Sequence, residues 1–149
     1  MGYIIAKVDD SDGESLAQLR ISAMKESLEF IGRFDPQRAR NRFLEKFSKE
    51  RTRKIMVEDK LAGFYVLNIN ADHLHIDHLY LHPDYQGYGF GGSILSLIKQ
   101  RAKSEGLSIR LGALRESRSN DFYKKHGFRY THEEEWDIYY EFIDDEVEP

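Results

Sequence analysis

Cysteine is absent from the 149 residues. That excludes disulfides, a thiolate nucleophile and thiolate-bound metal, and it leaves the redox compartment open. No apolar run approaches the roughly 18 residues that a membrane-spanning helix needs. The opening Met1-Gly2-Tyr3-Ile4-Ile5 has neither the basic head nor the long apolar core of a signal peptide. Ala6 stands where a myristoylation signal would carry Ser or Thr. The expectation is therefore no membrane association and a cytoplasmic location. Positive charge is not in excess either: 22 Lys and Arg against 26 Asp and Glu leave a net charge of −4, which argues against a nucleic-acid partner. Internal repeats and low-complexity segments are missing too.

What is present has the make-up of a soluble globular chain, 40% hydrophobic and 32% charged. Its length suits a single domain over residues 1–149, able to bury about two-thirds of the surface the unfolded chain exposes. Residues 143–149 carry Asp144, Asp145, Glu146 and Glu148 without a cation, and are expected to fray as an acidic tail.

Tyr3–Val8 is a β-branched and apolar run, the first expected strand. Ser11-x-x-Glu14 offers a capping box for a helix that Gly32 ends, and Asp35-Pro36 caps a second helix. Residues 54–58 and 61–68, parted by Asp59-Lys60, make a hairpin, and a turn at Asn70-Ala71-Asp72 leads into a strand over 74–81. A helix follows over 93–104, closed by Gly106, then a strand over 107–114 that should lie parallel to 74–81, because a helix connects them. A short helix over 119–126 and strands over 128–131 and 136–142 complete the order β, α, α, β, β, β, α, β, α, β, β. This is an α+β fold with a mixed sheet, in which antiparallel strands flank one central parallel pair.

The stretch Leu79-Tyr80-Leu81-His82-Pro83-Asp84-Tyr85-Gln86-Gly87-Tyr88-Gly89-Phe90-Gly91-Gly92 reads as strand, glycine-rich loop and helix start. Glycines there leave backbone N–H donors accessible at the positive end of a helix dipole, a setting that suits a phosphate. Gly87-x-Gly89-x-x-Gly92 matches the dinucleotide fingerprint, with Glu116 at a suitable distance for a ribose acid. Against that reading, residues including Pro83 separate the strand from the first glycine, and hairpins rather than βαβ units precede it.

Gln86-x-x-Gly89-x-Gly91 after a strand, followed downstream by Asn120-Asp121-Phe122-Tyr123-Lys124-Lys125-His126-Gly127-Phe128, resembles the two signatures of the GNAT superfamily of N-acetyltransferases. The element order matches that superfamily over residues 3–142. The resemblance implies a parallel pair splayed at an acetyl-coenzyme A site. The main chain of Leu79, Tyr80 and Leu81 would pair with pantetheine in the manner of an added strand. Amides of Gln86, Gly87, Tyr88, Gly89, Phe90, Gly91 and Gly92 would cradle the pyrophosphate. Many members carry an Asn six residues before the aromatic-Tyr pair; here Glu116 stands there, so Asn120 either takes over that cofactor contact or the contact is absent. Lys99, Arg101, Lys124 and Lys125 are within reach of adenosine phosphates or form a solvated face.

Acetyl transfer needs an unprotonated amine, and an alkyl amine of pKa about 10.4 is mostly charged at neutral pH. By the resemblance, Tyr123 serves the leaving thiolate. Its phenol, at about 10, is a weaker acid than a thiol at about 8.5, so full proton transfer is uphill by roughly 2 kcal/mol and hydrogen bonding is the expected role. Alternation along the strand places His75 and Asp77 on one face and Ile76, His78 and Tyr80 on the other, so Asp77 and His75 are the candidate bases. His78 faces away from them, and no metal is expected. Glu26, Glu29, Phe30, Arg33, Phe34, Trp136 and Tyr139 lie in the elements expected to bind the acceptor. Carboxylates with aromatics suit a cationic amine, on a small molecule or a protein. The expected activity is N-acetyl transfer to a primary amine by direct attack in a ternary complex, since no cysteine can carry the acyl group. The alternatives are a non-catalytic acyl-coenzyme A binding or regulatory module on the same fold, and a nicotinamide-dependent oxidoreductase. Exposed strand ends permit a homodimer.

Overall fold

The computed structural model describes residues 2–144. Its strands are β1 (Ile4–Lys7), β2 (Thr52–Val57), β3 (Lys60–Ile69), β4 (His73–Leu81), β5 (Ser108–Leu114), β6 (Arg129–Glu133) and β7 (Asp137–Phe142). Its helices are α1 (Gly13–Phe30), α2 (Pro36–Lys46), α3 (Phe90–Ser104) and α4 (Ser119–Lys125). The strands form one mixed sheet in the order β1-β2-β3-β4-β5-β7-β6. β4 and β5 are the parallel pair, in register from His73 opposite Ser108 to Ile76 opposite Leu111. This is the mixed α+β sheet that the sequence order implies. Of the acidic tail, residues 145–149 lie outside the described residues.

The chain forms two compact units. One contains the residues up to Val66 together with His78–Phe90; the other contains Leu67–Asp77 and the described residues from Gly91 onward.

In the first unit, Val8, Leu16, Ala17, Leu19, Phe43, Phe64 and Val66 make the buried core, with Leu44, Phe47, Leu61 and Tyr80 packed around it. The capping box at the first helix is not the Ser11/Glu14 pair. Asp9 is the cap: its carboxylate accepts from the Ser11 N–H, while Asp12 reaches back to the Asp9 N–H at 2.9 Å. An aspartate caps as well as a serine, and Asp9 comes first in the chain, so a 3-10 turn over Asp10–Asp12 precedes α1. The end of α1 follows expectation. Gly32 adopts φ 71°, its N–H bonds to Glu29, and Arg33 N–H bonds to Leu28 at 2.8 Å, the paired bonds of a Schellman cap. Asp35 caps α2 through the Arg38 N–H at 3.1 Å. The β2–β3 hairpin turns at Glu58-Asp59, one residue earlier than Asp59-Lys60, because Val57 pairs with Lys60 and both turn residues take positive φ.

At one position on β3 a side chain can be added only if a neighbouring strand shifts. A Cβ at Gly63 would lie 2.3 Å from the Tyr80 carbonyl oxygen and 2.9 Å from a Leu81 methyl. The β4 backbone occupies that space.

In the second unit the buried residues alternate along the strands: Leu74 and Ile76 on β4, Ile109, Leu111 and Ala113 on β5, and Tyr140 on β7. β5 pairs antiparallel with β7, setting Arg110 opposite Glu141 and Gly112 opposite Tyr139. Ile94, Leu95, Ile98 and Ala102 form the buried stripe of α3. Helix α3 begins at Phe90 rather than Ser93. Phe90 is buried, with its ring edge-on to Tyr3 and stacked near Tyr88, and this anchors the first turn ahead of the two glycines.

Candidate functional site

The glycine-rich stretch divides into a loop and a helix start. Gly87 and Gly89 adopt φ 86° and 82° with open space where a Cβ would point, so their requirement is conformational. Gly91 and Gly92 belong to the first turn of α3, whose opening N–H groups have no partner within the helix. A ring fills the space beside Gly92: the His126 imidazole would lie 2.9 Å from a Cβ there. Gln86 turns back on the strand, its side-chain amide donating to the Leu81 carbonyl at 3.0 Å. The His82 N–H bonds to Ala62 at 2.8 Å, and the His82 ring accepts from the Asp84 N–H at 3.1 Å, which holds the entry to the loop. Leu79, Tyr80 and Leu81 are half-buried at the end of β4.

The downstream signature is a helix with its terminator. Gly127 at φ 87° sends its N–H to Lys124, and the Phe128 N–H returns to the Tyr123 carbonyl at 3.0 Å. Phe128 is buried against the Tyr123 ring at 5.5 Å between centroids, the apolar contact that accompanies such a cap. Tyr123 is 6% exposed, and its ring also lies near Phe122 and Tyr140.

Asn120 is buried and turned into the protein. Its amide nitrogen donates to the Leu114 carbonyl at 2.9 Å and the Ser117 carbonyl at 3.0 Å, and its oxygen accepts from the Tyr140 hydroxyl at 2.7 Å. These bonds join α4 to β5 and β7. Glu116, at the position where many relatives carry Asn, takes φ 73° in the turn between β5 and α4. Sequence reasoning missed the Tyr140 hydroxyl, because nothing local marks one strand tyrosine as the partner of a residue 20 positions away.

On β4, His75 and Asp77 share a face as alternation requires. The His75 Nδ1 lies 2.6 Å from an Asp77 carboxylate oxygen, and the Asn68 side-chain amide donates to the other oxygen. Both acidic oxygens are thereby held, and Asn68 is a further member that the sequence did not single out. With Nδ1–H given to Asp77, the Nε2 lone pair is the one available as a base. His75 lines a cavity of about 530 Å³ whose walls come from β4, β5, β7, β6 and the turn after β6. Of its lining residues, Arg110 pairs with Glu141 at 2.9 Å, a carboxylate that also accepts from Ser108. Hydrogen bonding to Glu141 raises the Arg110 pKa, so that guanidinium stays charged. Asp72 is held below the usual carboxylate range, chiefly by its hydrogen bond to His73.

Of the acceptor candidates, Tyr139 lines the cavity. Glu26 and the highly exposed Phe30 stand on the last turns of α1, where Glu29 pairs with Lys25. Trp136 is 39% exposed just before β7, and none of these four is among the cavity's lining residues. Among the described residues no cluster of three metal-ligating side chains is found, and no helix is long and apolar enough to cross a membrane.

A family model described as an acetyltransferase (GNAT) domain matches residues 14–144. The chain belongs to the GNAT acetyltransferases, and it is an acyltransferase. Its fold is similar to that of the PaiA N-acetyltransferase of Thermoplasma acidophilum, solved in complex with coenzyme A, at 24% identity over 95% of this chain and 99% of that one, with a TM-score of 0.79. It is also similar to PH1933 of Pyrococcus horikoshii, at 20% identity over 97% and 99% of the two chains and a TM-score of 0.76. An acetyltransferase of Thermus thermophilus gives 16% identity over 95% and 96%, with a TM-score of 0.72. At these identities the likeness is one of fold. No curated protein sequence matches the chain.

Proposed function

We propose that this protein transfers acetyl from acetyl-coenzyme A directly to a primary amine, with donor and acceptor bound together. The observation that carries the reading is the Asn68–Asp77–His75 relay at the wall of the cavity. A base oriented by a carboxylate is what a protonated amine requires before it can attack. The fold relative crystallised with coenzyme A supports the donor, and the lack of cysteine supports transfer without an acyl-enzyme.

When bound, acetyl-coenzyme A supplies the activated acyl group and a thiolate leaving group. The residues here fit it: Gly87 and Gly89 stand in open space, and the N–H groups at the start of α3 point to an anion. In this reading the main chain of Leu79–Leu81 pairs with pantetheine, and the amides of residues 86–92 hold the pyrophosphate. Gln86 and Asn120 act as braces, since their side-chain amides are engaged with the protein's own carbonyls. His75 takes the amine's proton at Nε2. Tyr123 hydrogen-bonds the departing sulfur, held by the rings and the helix cap around it.

The test is a thiol-release assay of acetyl-coenzyme A against a panel of amines, with Tyr123→Phe and His75→Gln beside the wild type. Both variants are expected to bind acetyl-coenzyme A and to lose roughly 100-fold or more in kcat, the usual scale of acid–base assistance. If no coenzyme A thioester raises the melting temperature, the assignment fails. Binding without turnover of any amine would instead leave a coenzyme-binding module.

A further inference from the structure

Resting on the reading that His75 accepts the amine's proton, we propose that the cavity it lines is the acceptor pocket for a small-molecule amine bearing a second positive charge, and that Glu134 selects that charge. At about 530 Å³ the cavity has the size of a small-molecule site. Its charges do not cancel. Arg110 is committed to Glu141 at 2.9 Å and approaches Asp72 at 3.8 Å, so the lining guanidinium is already neutralised by carboxylates. The Glu134 carboxylate accepts from the neutral Tyr139 hydroxyl at 3.3 Å, while the neighbouring Arg115 guanidinium bonds the Glu134 carbonyl at 2.7 Å and pairs with Glu133 at 3.1 Å. Burial, helped by Asp137 and Glu134, raises the Tyr139 pKa, which keeps that hydroxyl protonated and donating. The backbone N–H of Glu134 bonds to the Asp137 carbonyl at 2.9 Å and fixes the turn that carries the carboxylate.

Between the two functional groups lies a flat wall. His132 stacks on Tyr139 with centroids 4.5 Å apart and planes at 9°, and the Tyr139 ring lies against Gly112, where a Cβ would come within 2.9 Å. This wall suits an alkyl chain and, through the phenol ring, a cation.

Position decides which nitrogen Glu134 serves. A carboxylate beside the reacting ammonium would stabilise its protonated form and oppose attack. Glu134 follows β6, and two strands, β5 and β7, separate β6 from β4, which carries His75. Register puts His75 in line with Arg110, Glu141 and Arg129, and Glu134 opposite Asp137, four residues from Glu141, so roughly 14 Å across the strands combines with roughly 13 Å along them. The carboxylate is therefore placed for a distal charge. The same field repels an acceptor that carries a carboxylate.

The experiment compares kcat/KM, with acetyl-coenzyme A as donor, for linear α,ω-diamines of increasing length, the monoamines of the same lengths and the matching ω-amino acids. The best diamine should exceed its monoamine by roughly five- to tenfold, the scale of one partly screened ion pair, and the amino acid should be slowest. In Glu134→Gln the diamine's advantage should collapse through KM, with the melting temperature unchanged, and Glu134→Asp should recover part of it. Equal rates for diamine and monoamine in the wild type, or an unchanged ratio in Glu134→Gln, would overturn the pocket assignment alone. A wild type that acetylates no amine at all overturns the acetyltransferase reading and this proposal with it.

Discussion

Gly63→Ala tests the link between strand packing and the end of β4 that is proposed to pair with the coenzyme. The new methyl would sit 2.3 Å from the Tyr80 carbonyl oxygen, about 1 Å inside an ordinary carbon–oxygen contact of roughly 3.3 Å. Backbone cannot swing aside as a flexible side chain can. On the other side the methyl meets Leu81 at 2.9 Å and Ile55 at 3.3 Å, so β4 itself must move. Overpacking of this kind costs about 1–3 kcal/mol, against which removing a strand glycine returns about 0.5–1 kcal/mol. The net expectation is a loss of about 1 kcal/mol. For a chain of this length that corresponds to a fall of about 2–4 °C in melting temperature. Calorimetry or a dye-monitored melt reads it directly. Since Tyr80 belongs to the stretch assigned to pantetheine, KM for acetyl-coenzyme A should rise in the same variant. Gly106→Ala is the control, because it has strain at φ 69° but no neighbour to strike. A Gly63→Ala protein within about 0.5 kcal/mol of wild type, with KM unmoved, would refute the reasoning.

Replacing Asn120 by Leu leaves the buried Tyr140 hydroxyl and the Leu114 carbonyl without their partner, and urea titration should show a loss of about 2–3 kcal/mol. Gly127→Ala places a side chain at φ 87° in the α4 cap, where the space itself is adequate; a melt should fall by the equivalent of about 1–2 kcal/mol. His126 has its pKa lowered, first by burial and then by Lys99 and Lys125. The folded protein therefore binds its proton less readily than the unfolded chain, so stability should decline as pH falls through about 6.5 toward the lower folded value. His126→Gln should flatten that part of a stability–pH curve, and an unchanged slope would assign it to other groups.

The local parts of this protein are written in short stretches. The Schellman caps at Gly32 and Gly127 and the Asp35 cap of α2 each depend on residues within one or two turns, and each stands where the sequence places it. The same holds for the order of elements and for the shared face of His75 and Asp77, which a period of two dictates. Errors arose where two local solutions were nearly equal: Asp9 against Ser11 as a cap, and Phe90 against Ser93 as the start of α3. In each case the finer choice depended on contacts such as that of Tyr3 against Phe90 or of Asp12 with the Asp9 N–H.

Chain order and glycine placement, by themselves, determined the mixed sheet and the two signatures of an acetyltransferase, because backbone conformation and hydrophobic period are properties of neighbours in the chain. The cavity was decided only by tertiary structure. The pairing of β4 with β5 and of β5 with β7 brings His75, Arg110 and Glu141 into one row, although they lie far apart in the chain. Likewise, the inward turn of Asn120 and the stacking of His132 on Tyr139 depend on which strand lies beside which, and no local pattern encodes that.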